Sequence, residues 1–248
     1  MSDERLPTSD GYVGVPRSKV GLMQILAAVL GAIAIYVVGI VIVGGFDPSL
    51  GEADVDDRSD GGLLAAQAVL VLSFILAAIG TAQIANHTKT GQALAKLGLR
   101  SAPKRIFSTV GIAIFAYFVC ALLILTLLAP EQDDIAENLG AGDDSPVIVT
   151  VIAGILIVFG AAFSEEIFFR GLLFGGLRQS LPLWPAALIS GLVFGCLHLT
   201  AGDVGVAIQL TLFGVILAWT YERTGSMWTP IGLHAANNAI AFTLLLAN

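Results

Sequence analysis

The stretch VIVTVIAGILIVFGAAFSEEIFFRGLLF, residues 147–174, decides how the rest of the chain is read. Its first seventeen residues are apolar without the period-2 alternation of a barrel strand, which argues for a helix that satisfies its own backbone in lipid. Then Ser164-Glu165-Glu166 and Arg170 interrupt the run, and apolar sequence resumes at Gly171. A charge at mid-bilayer costs about 2.5–3.5 kcal/mol on insertion scales, so such residues are candidates for function.

The rest of the chain fits a lipid setting. Of 248 residues 56% are hydrophobic and 12% charged, and the mean hydropathy is +0.86. One soluble core could not hide that much apolar surface. Six further apolar runs, at about Val20 to Gly45, Gly61 to Ala85, Ile106 to Ala129, Leu183 to Leu199, Val204 to Tyr221 and Met227 to Ala247, bring the expectation to an all-α, polytopic transmembrane bundle of about seven spans. The first run is too long for a signal-peptide core and reads as a retained span.

Loop charges give the orientation. In a seven-span arrangement every Lys and Arg except Arg58 falls on one side, whereas Asp47, Glu52, Asp54, Asp56, Asp57 and Asp60, with Glu131, Asp133, Asp134, Glu137, Asp143 and Asp144, fall on the other. The positive-inside rule puts the N-terminus in the cytoplasm and the C-terminus outside, with the plasma membrane as the expected location. Cys120 and Cys196 both lie mid-span and offer no disulfide framework.

Three regions follow: a cytoplasmic tail over 1–19, a three-span scaffold over 20–129 with no charged residue inside its apolar cores, and a polar-bearing membrane region over 147–248. The basic linker between His87 and Arg105 is expected to lie on the membrane surface through Leu94, Leu97 and Leu99.

Within the last region the polar residues fall into helical pairs. Glu166 and Arg170 are four apart with the acid first, the favoured orientation for an ion pair, while Glu165 is displaced by about 100° and is the better candidate for chemistry. Phe194 and His198 share a face of the fifth span; His234 and Asn238 share a face of the last, with Asn237 turned away. Gly171 and Gly175, and Gly191 and Gly195, have the small-xxx-small spacing that lets helices approach, and the fourth and fifth spans are expected to close on each other there. The plainer reading of each is structural: acids marking a helix end, a packed histidine, or interhelical hydrogen bonds from His and Asn.

Taken together, a free carboxylate, two imidazoles and an amide supply a general base and oxyanion donors, the parts of a hydrolytic centre. A thiol nucleophile at Cys196 is disfavoured, since His198 two residues on faces nearly the opposite way. Zinc could take Glu165, His198 and His234, but no HExxH spacing supports it. The reading is therefore of no cofactor, with a divalent metal such as zinc on those three residues as the other option. A geometric difficulty is that His198 lies about 22 Å beyond Leu183 by helical rise and His234 only about 10 Å beyond Met227. A fourth helix running on through Phe174 would carry Glu165 to mid-depth and help the groups meet.

In order, E-E-x-x-x-R at Glu165, Glu166 and Arg170, F-x-x-x-H at Phe194 and His198, and H-x-x-x-N at His234 and Asn238 resemble the CAAX protease and bacteriocin-processing (CPBP, or Abi) family, related to the type II CAAX prenyl proteases. The resemblance covers about 147–248 and marks that region as a CPBP-like catalytic membrane core. It implies an intramembrane endopeptidase acting on a membrane-proximal or lipid-modified substrate, with Glu165 and His198 activating water and His234 with Asn238 holding the oxyanion. The partners implied are a peptide or protein substrate and the bilayer, with no nucleic acid. The rival reading from another class is a non-catalytic membrane protein, an immunity or chaperone-like factor using the same cluster to bind peptide.

Overall fold

A computed structural model describes residues 14–16, 18–52, 57–100, 106–128, 145–199 and 204–247. Most of the tail over 1–19 lies outside these, as do the acidic residues Asp54, Asp56, Glu131, Asp133, Asp134, Glu137, Asp143 and Asp144. The described residues form eight helices and no strand: α1 (Leu22–Phe46), α2 (Asp60–Asn86), α3 (Thr90–Lys96), α4 (Phe107–Leu128), α5 (Val147–Leu177), α6 (Leu183–Cys196), α7 (Val204–Thr224) and α8 (Trp228–Leu245).

The protein is a multi-pass helical membrane protein. Five helices, α1, α2, α4, α5 and α7, are long and apolar enough to cross a bilayer. The expected seven is thus met in part. α6 has 14 residues, about 21 Å at the helical rise against a hydrocarbon core of about 30 Å. α8, with 18 residues, is diluted by His234, Asn237 and Asn238.

Local chemistry sets the helix ends. Ser59 caps α2 by accepting from the Gly62 amide at 2.9 Å, and Asp60 adds a carboxylate in the first turn, where the helix dipole favours it. α2 stops at His87, whose φ of 51° breaks the α-helical path. Asp47, at the end of α1, accepts hydrogen bonds from the Ser49 amide at 3.2 Å, the Ser49 hydroxyl at 2.6 Å and the Ser59 hydroxyl, tying the α1–α2 loop together.

α5 is the axis of the bundle. Ile167, Phe168, Phe169, Leu172 and Leu173 are buried against Ile25, Ala28 and Ala32 of α1, Ala77, Ala78 and Ala82 of α2, and Phe194, Phe213 and Leu217 of α6 and α7. Two segments of α5 widen into π turns, Leu156–Ala161 and Glu166–Phe174. Such turns shift the carbonyls from their α-helical positions. Here each segment has a carbonyl taken from outside: Asn238 Nδ2 of α8 donates to Ile157 O at 3.0 Å, and Ser190 Oγ of α6 to Phe169 O at 3.1 Å.

Two sequence expectations are corrected. Gly191 and Gly195 do mark a close helix contact, but with α7: a Cβ at Gly195 would stand 2.4 Å from Ala207 O and one at Gly191 2.7 Å from Thr211 O. Gly171 of α5 instead admits the α2–α4 linker, with Leu97 O at 2.9 Å from its Cβ position. Leu97 and Leu99 of that linker thus pack into the bundle, against the expectation that they rest on the membrane surface. Leu97 is 2% exposed and belongs to the core. Gly98 takes φ +95°, beneath the Tyr221 ring, a path and a space that only glycine permits. Its carbonyl accepts from the Met227 amide at 2.9 Å, and Arg100 O accepts from Ser226 Oγ at 2.7 Å, so the linker is pinned to the α7–α8 turn.

Candidate functional site

α5, α6, α7 and α8 converge on one polar cluster. Glu166 and Arg170, both with no exposed side-chain surface, form the expected ion pair, Arg170 Nη1 to Glu166 Oε1 at 2.7 Å. The guanidinium also lies over the Phe194 ring, 4.4 Å from its centroid. Arene and carboxylate together offset its desolvation.

The pair does more than hold structure. The same Glu166 Oε1 lies 2.8 Å from His234 Nδ1. An ionised carboxylate only accepts, so Nδ1 carries the hydrogen, and the ring orientation is set by that bond. His234 Nε2 then faces Glu165, with Oε2 at 3.7 Å. The sequence reading left Glu165 without a partner; in the fold it reaches the far nitrogen of the imidazole that Glu166 positions. Glu165 keeps 12% side-chain exposure, against none for Glu166.

His198, partly buried, stacks on Phe194 as its spacing predicted, with ring centroids 4.8 Å apart. Its Nδ1 lies 2.9 Å from its own Phe194 carbonyl. A carbonyl cannot donate, so here too Nδ1 bears the hydrogen. The depth difficulty resolves on Phe194, whose ring also meets His234 edge-on at 5.7 Å. α5 does run on past Phe174 to Leu177, as the meeting of these groups required.

Asn238 is partly buried one turn beyond His234. Its Nδ2 is committed in part to Ile157 O, and its Oδ1 faces Asn237 Nδ2 at 3.4 Å. Among the described residues, the second N–H of the Asn238 amide has no partner and is left to donate. The opposite wall is Phe213 of α7, edge-on to His234 at 5.6 Å and in turn 4.5 Å from the Tyr117 ring of α4. Ser190, Phe213 and Tyr117 are supporting residues that sequence spacing did not single out.

Among the described residues no three His, Cys, Asp or Glu side chains are gathered to hold a metal ion. His234 gives Nδ1–H to Glu166, which leaves Nε2, 3.7 Å from Glu165 Oε2, as its other nitrogen.

The acids Glu165 and Glu166, the imidazoles His198 and His234 and the Asn238 amide thus lie on three helices, α5, α6 and α8, that meet at one cluster. Residues 147–240, which carry this cluster, match the family model described as Type II CAAX prenyl endopeptidase Rce1-like. Among curated proteins it is similar to Uncharacterized protein YyaK of Bacillus subtilis (strain 168), 34% identical over 137 residues, 51% of this chain and 43% of that protein. It is also similar to Putative membrane peptidase YdiL of the same organism, 32% identical over 100 residues, 40% of this chain and 37% of that one. A third relative, an uncharacterized 24.3 kDa protein of Escherichia coli, is 27% identical over 124 residues, 49% of this chain and 56% of its own length. The matches thus span between about a third and just over half of these relatives.

Proposed function

We propose that this chain is an endopeptidase that hydrolyses a peptide bond of a membrane-proximal or lipid-modified substrate, with water activated by Glu165. The observation that carries the reading is the position of His234, held by the buried Glu166–Arg170 pair at 2.8 Å with its other nitrogen 3.7 Å from Glu165. A structural hydrogen bond would need one partner; this imidazole is fixed on one side and aimed on the other at a carboxylate that retains some exposure. The Rce1-like match and the relative named as a membrane peptidase support the same class.

In this mechanism Glu165 takes a proton from water, with His198 Nε2 accepting the second hydrogen bond and so orienting it. The water oxygen attacks the scissile carbonyl carbon, and the carbonyl electron pair moves onto oxygen. His234 Nε2–H and Asn238 Nδ2–H stabilise that oxyanion. Collapse expels the amine, which takes the proton from Glu165. For His234 to donate through both nitrogens it must carry two protons. With Arg170 it then balances Glu165 and Glu166, leaving four charged groups of zero net charge inside an apolar bundle.

The test uses the protein in phosphatidylcholine vesicles with two quenched-fluorescence peptides, one bearing a farnesylated cysteine and one an apolar transmembrane anchor. Glu165→Ala and His198→Ala should each lower cleavage by about 10²–10⁴-fold, with helix content by circular dichroism unchanged. Cleavage by both variants at the wild-type rate would point to the non-catalytic, peptide-binding reading. Activity that survives a chelator would support water activation by Glu165 without a metal; activity lost to a chelator and restored by zinc would overturn it.

A further inference from the structure

One polar pair in the bundle belongs to no part of this mechanism. Gln209 of α7 donates from Nε2 to the Tyr117 hydroxyl of α4 at 3.0 Å. Both side chains are partly buried. Tyr117 sits ten residues into the 22-residue α4, about 15 Å from its end, which is the middle of a hydrocarbon core and not the interfacial belt where tyrosine is usually found. The pair is one ring from the cluster, because Phe213 packs on Tyr117 at 4.5 Å and on His234 at 5.6 Å.

Gluing α4 to α7 would need one donor and one acceptor. This pair carries more. Tyr117 Oη accepts from Gln209, so its own O–H is left to donate, and Gln209 Oε1 is left to accept; among the described residues neither has a partner. A donor and an acceptor side by side are the complement of one residue of extended backbone, whose own C=O and N–H point the same way, C=O to Tyr117 O–H and N–H to Gln209 Oε1. A substrate backbone opened for hydrolysis inside the bilayer has lost its helical hydrogen bonds and finds no water to replace them. It therefore needs such a partner beside the scissile bond.

We infer that Gln209 and Tyr117 form a subsite that binds the N–H and C=O of one extended residue of the substrate peptide close to the bond cleaved at Glu165 and His234. The inference rests on the peptidase reading above and assigns part of its substrate recognition.

The experiment compares the two vesicle probes with analogues in which each backbone amide within three residues of the scissile bond is replaced in turn by an ester, which lacks the N–H. The wild-type protein should disfavour one of these esters by about tenfold in kcat/KM, one tenfold step being 1.36 kcal/mol. Gln209→Leu should lose about the same tenfold on the amide substrate and show no preference between that amide and its ester. Tyr117→Phe, a milder change that leaves the ring packing on Phe213 in place, should raise KM more than it lowers kcat. If Gln209→Leu slows amide and ester equally and the wild-type preference persists, the pair is interhelical glue and the inference fails while the peptidase reading stands. If Glu165→Ala cleaves as fast as wild type, both fail.

Discussion

Replacing Gly195 by alanine tests how closely the site depends on the α6–α7 contact. The new Cβ would lie 2.1 Å from Thr211 Oγ1, 2.4 Å from Ala207 O and 2.9 Å from Thr211 N. The hydroxyl can rotate away, but the carbonyl and the amide belong to the α7 backbone and cannot. Ordinary contact begins near 3.4 Å, so α6 must retreat by about 1 Å, at a cost of roughly 1–3 kcal/mol for an overpacked contact. α6 carries Phe194 and His198, and if His198 orients the attacking water as proposed, a displacement of that size costs about 10²-fold in rate. The control is Gly232→Ala, two residues from His234, where an added Cβ meets nothing within 4 Å. There alanine should be neutral or stabilising by about 0.5–1 kcal/mol, since it is the better helix former. Vesicle cleavage rates and thermal unfolding of both variants are the measurements. Gly195→Ala with wild-type rate and midpoint, or Gly232→Ala as damaging as Gly195→Ala, would refute the close-packing argument.

Three further outcomes are expected. Glu166→Gln should destabilise by about 3–5 kcal/mol because it strands a buried Arg170, whereas Glu166→Leu with Arg170→Met should restore folding yet leave peptide cleavage at least tenfold down, since His234 Nδ1 has lost the group that orients it; unfolding and rate measured together separate the two effects. Leu97→Ala should cost about 2–5 kcal/mol as a core truncation, readable as a lowered unfolding midpoint, where a lipid-facing leucine would cost far less. The hydrogen bonds from Ser49 and then Ser59 hold the Asp47 carboxyl below its ordinary value. A carboxyl lowered in the fold contributes stability above its unfolded value that is lost as pH falls through the folded one, so the protection of the amides of residues 47–52 and 57–62, measured against their intrinsic exchange rates, should fall on acidification below about pH 4, and Asp47→Asn should remove that dependence.

Much of the bundle was legible because its signals are local. Apolar run length gave the helices nearly to their ends, and four-residue spacing gave the Glu166–Arg170 pair and the Phe194–His198 stack. The contact between Glu166 and His234 joins residues 68 apart and depends on how α5 and α8 are rotated. Two π turns in α5 change that rotation, and no residue pattern announced them. The glycine spacings were read correctly as close approaches but assigned to the wrong neighbours, since spacing names the face of a helix and not what will lie against it. The linker was misjudged for a related reason: a short basic, leucine-bearing segment looks the same whether it rests on lipid or is threaded beneath Gly171. Gln209, a lone amide in the sixth apolar run, was a signal in plain view whose partner Tyr117 lay 92 residues away.

The pinning of Gly98 and Arg100 to the α7–α8 turn also bears on how this protein can be taken apart. A peptide is clasped by one made more than a hundred residues later, so the clasp can close only after the turn at 225–227 has emerged and found it. Transplanting residues 147–247 onto the first spans of another protein would leave Gly171 facing an empty notch and the Met227 amide without its acceptor. A working chimera must bring residues 93–100 along with the later helices, which makes this short loop a piece of the C-terminal half in everything but its place in the chain.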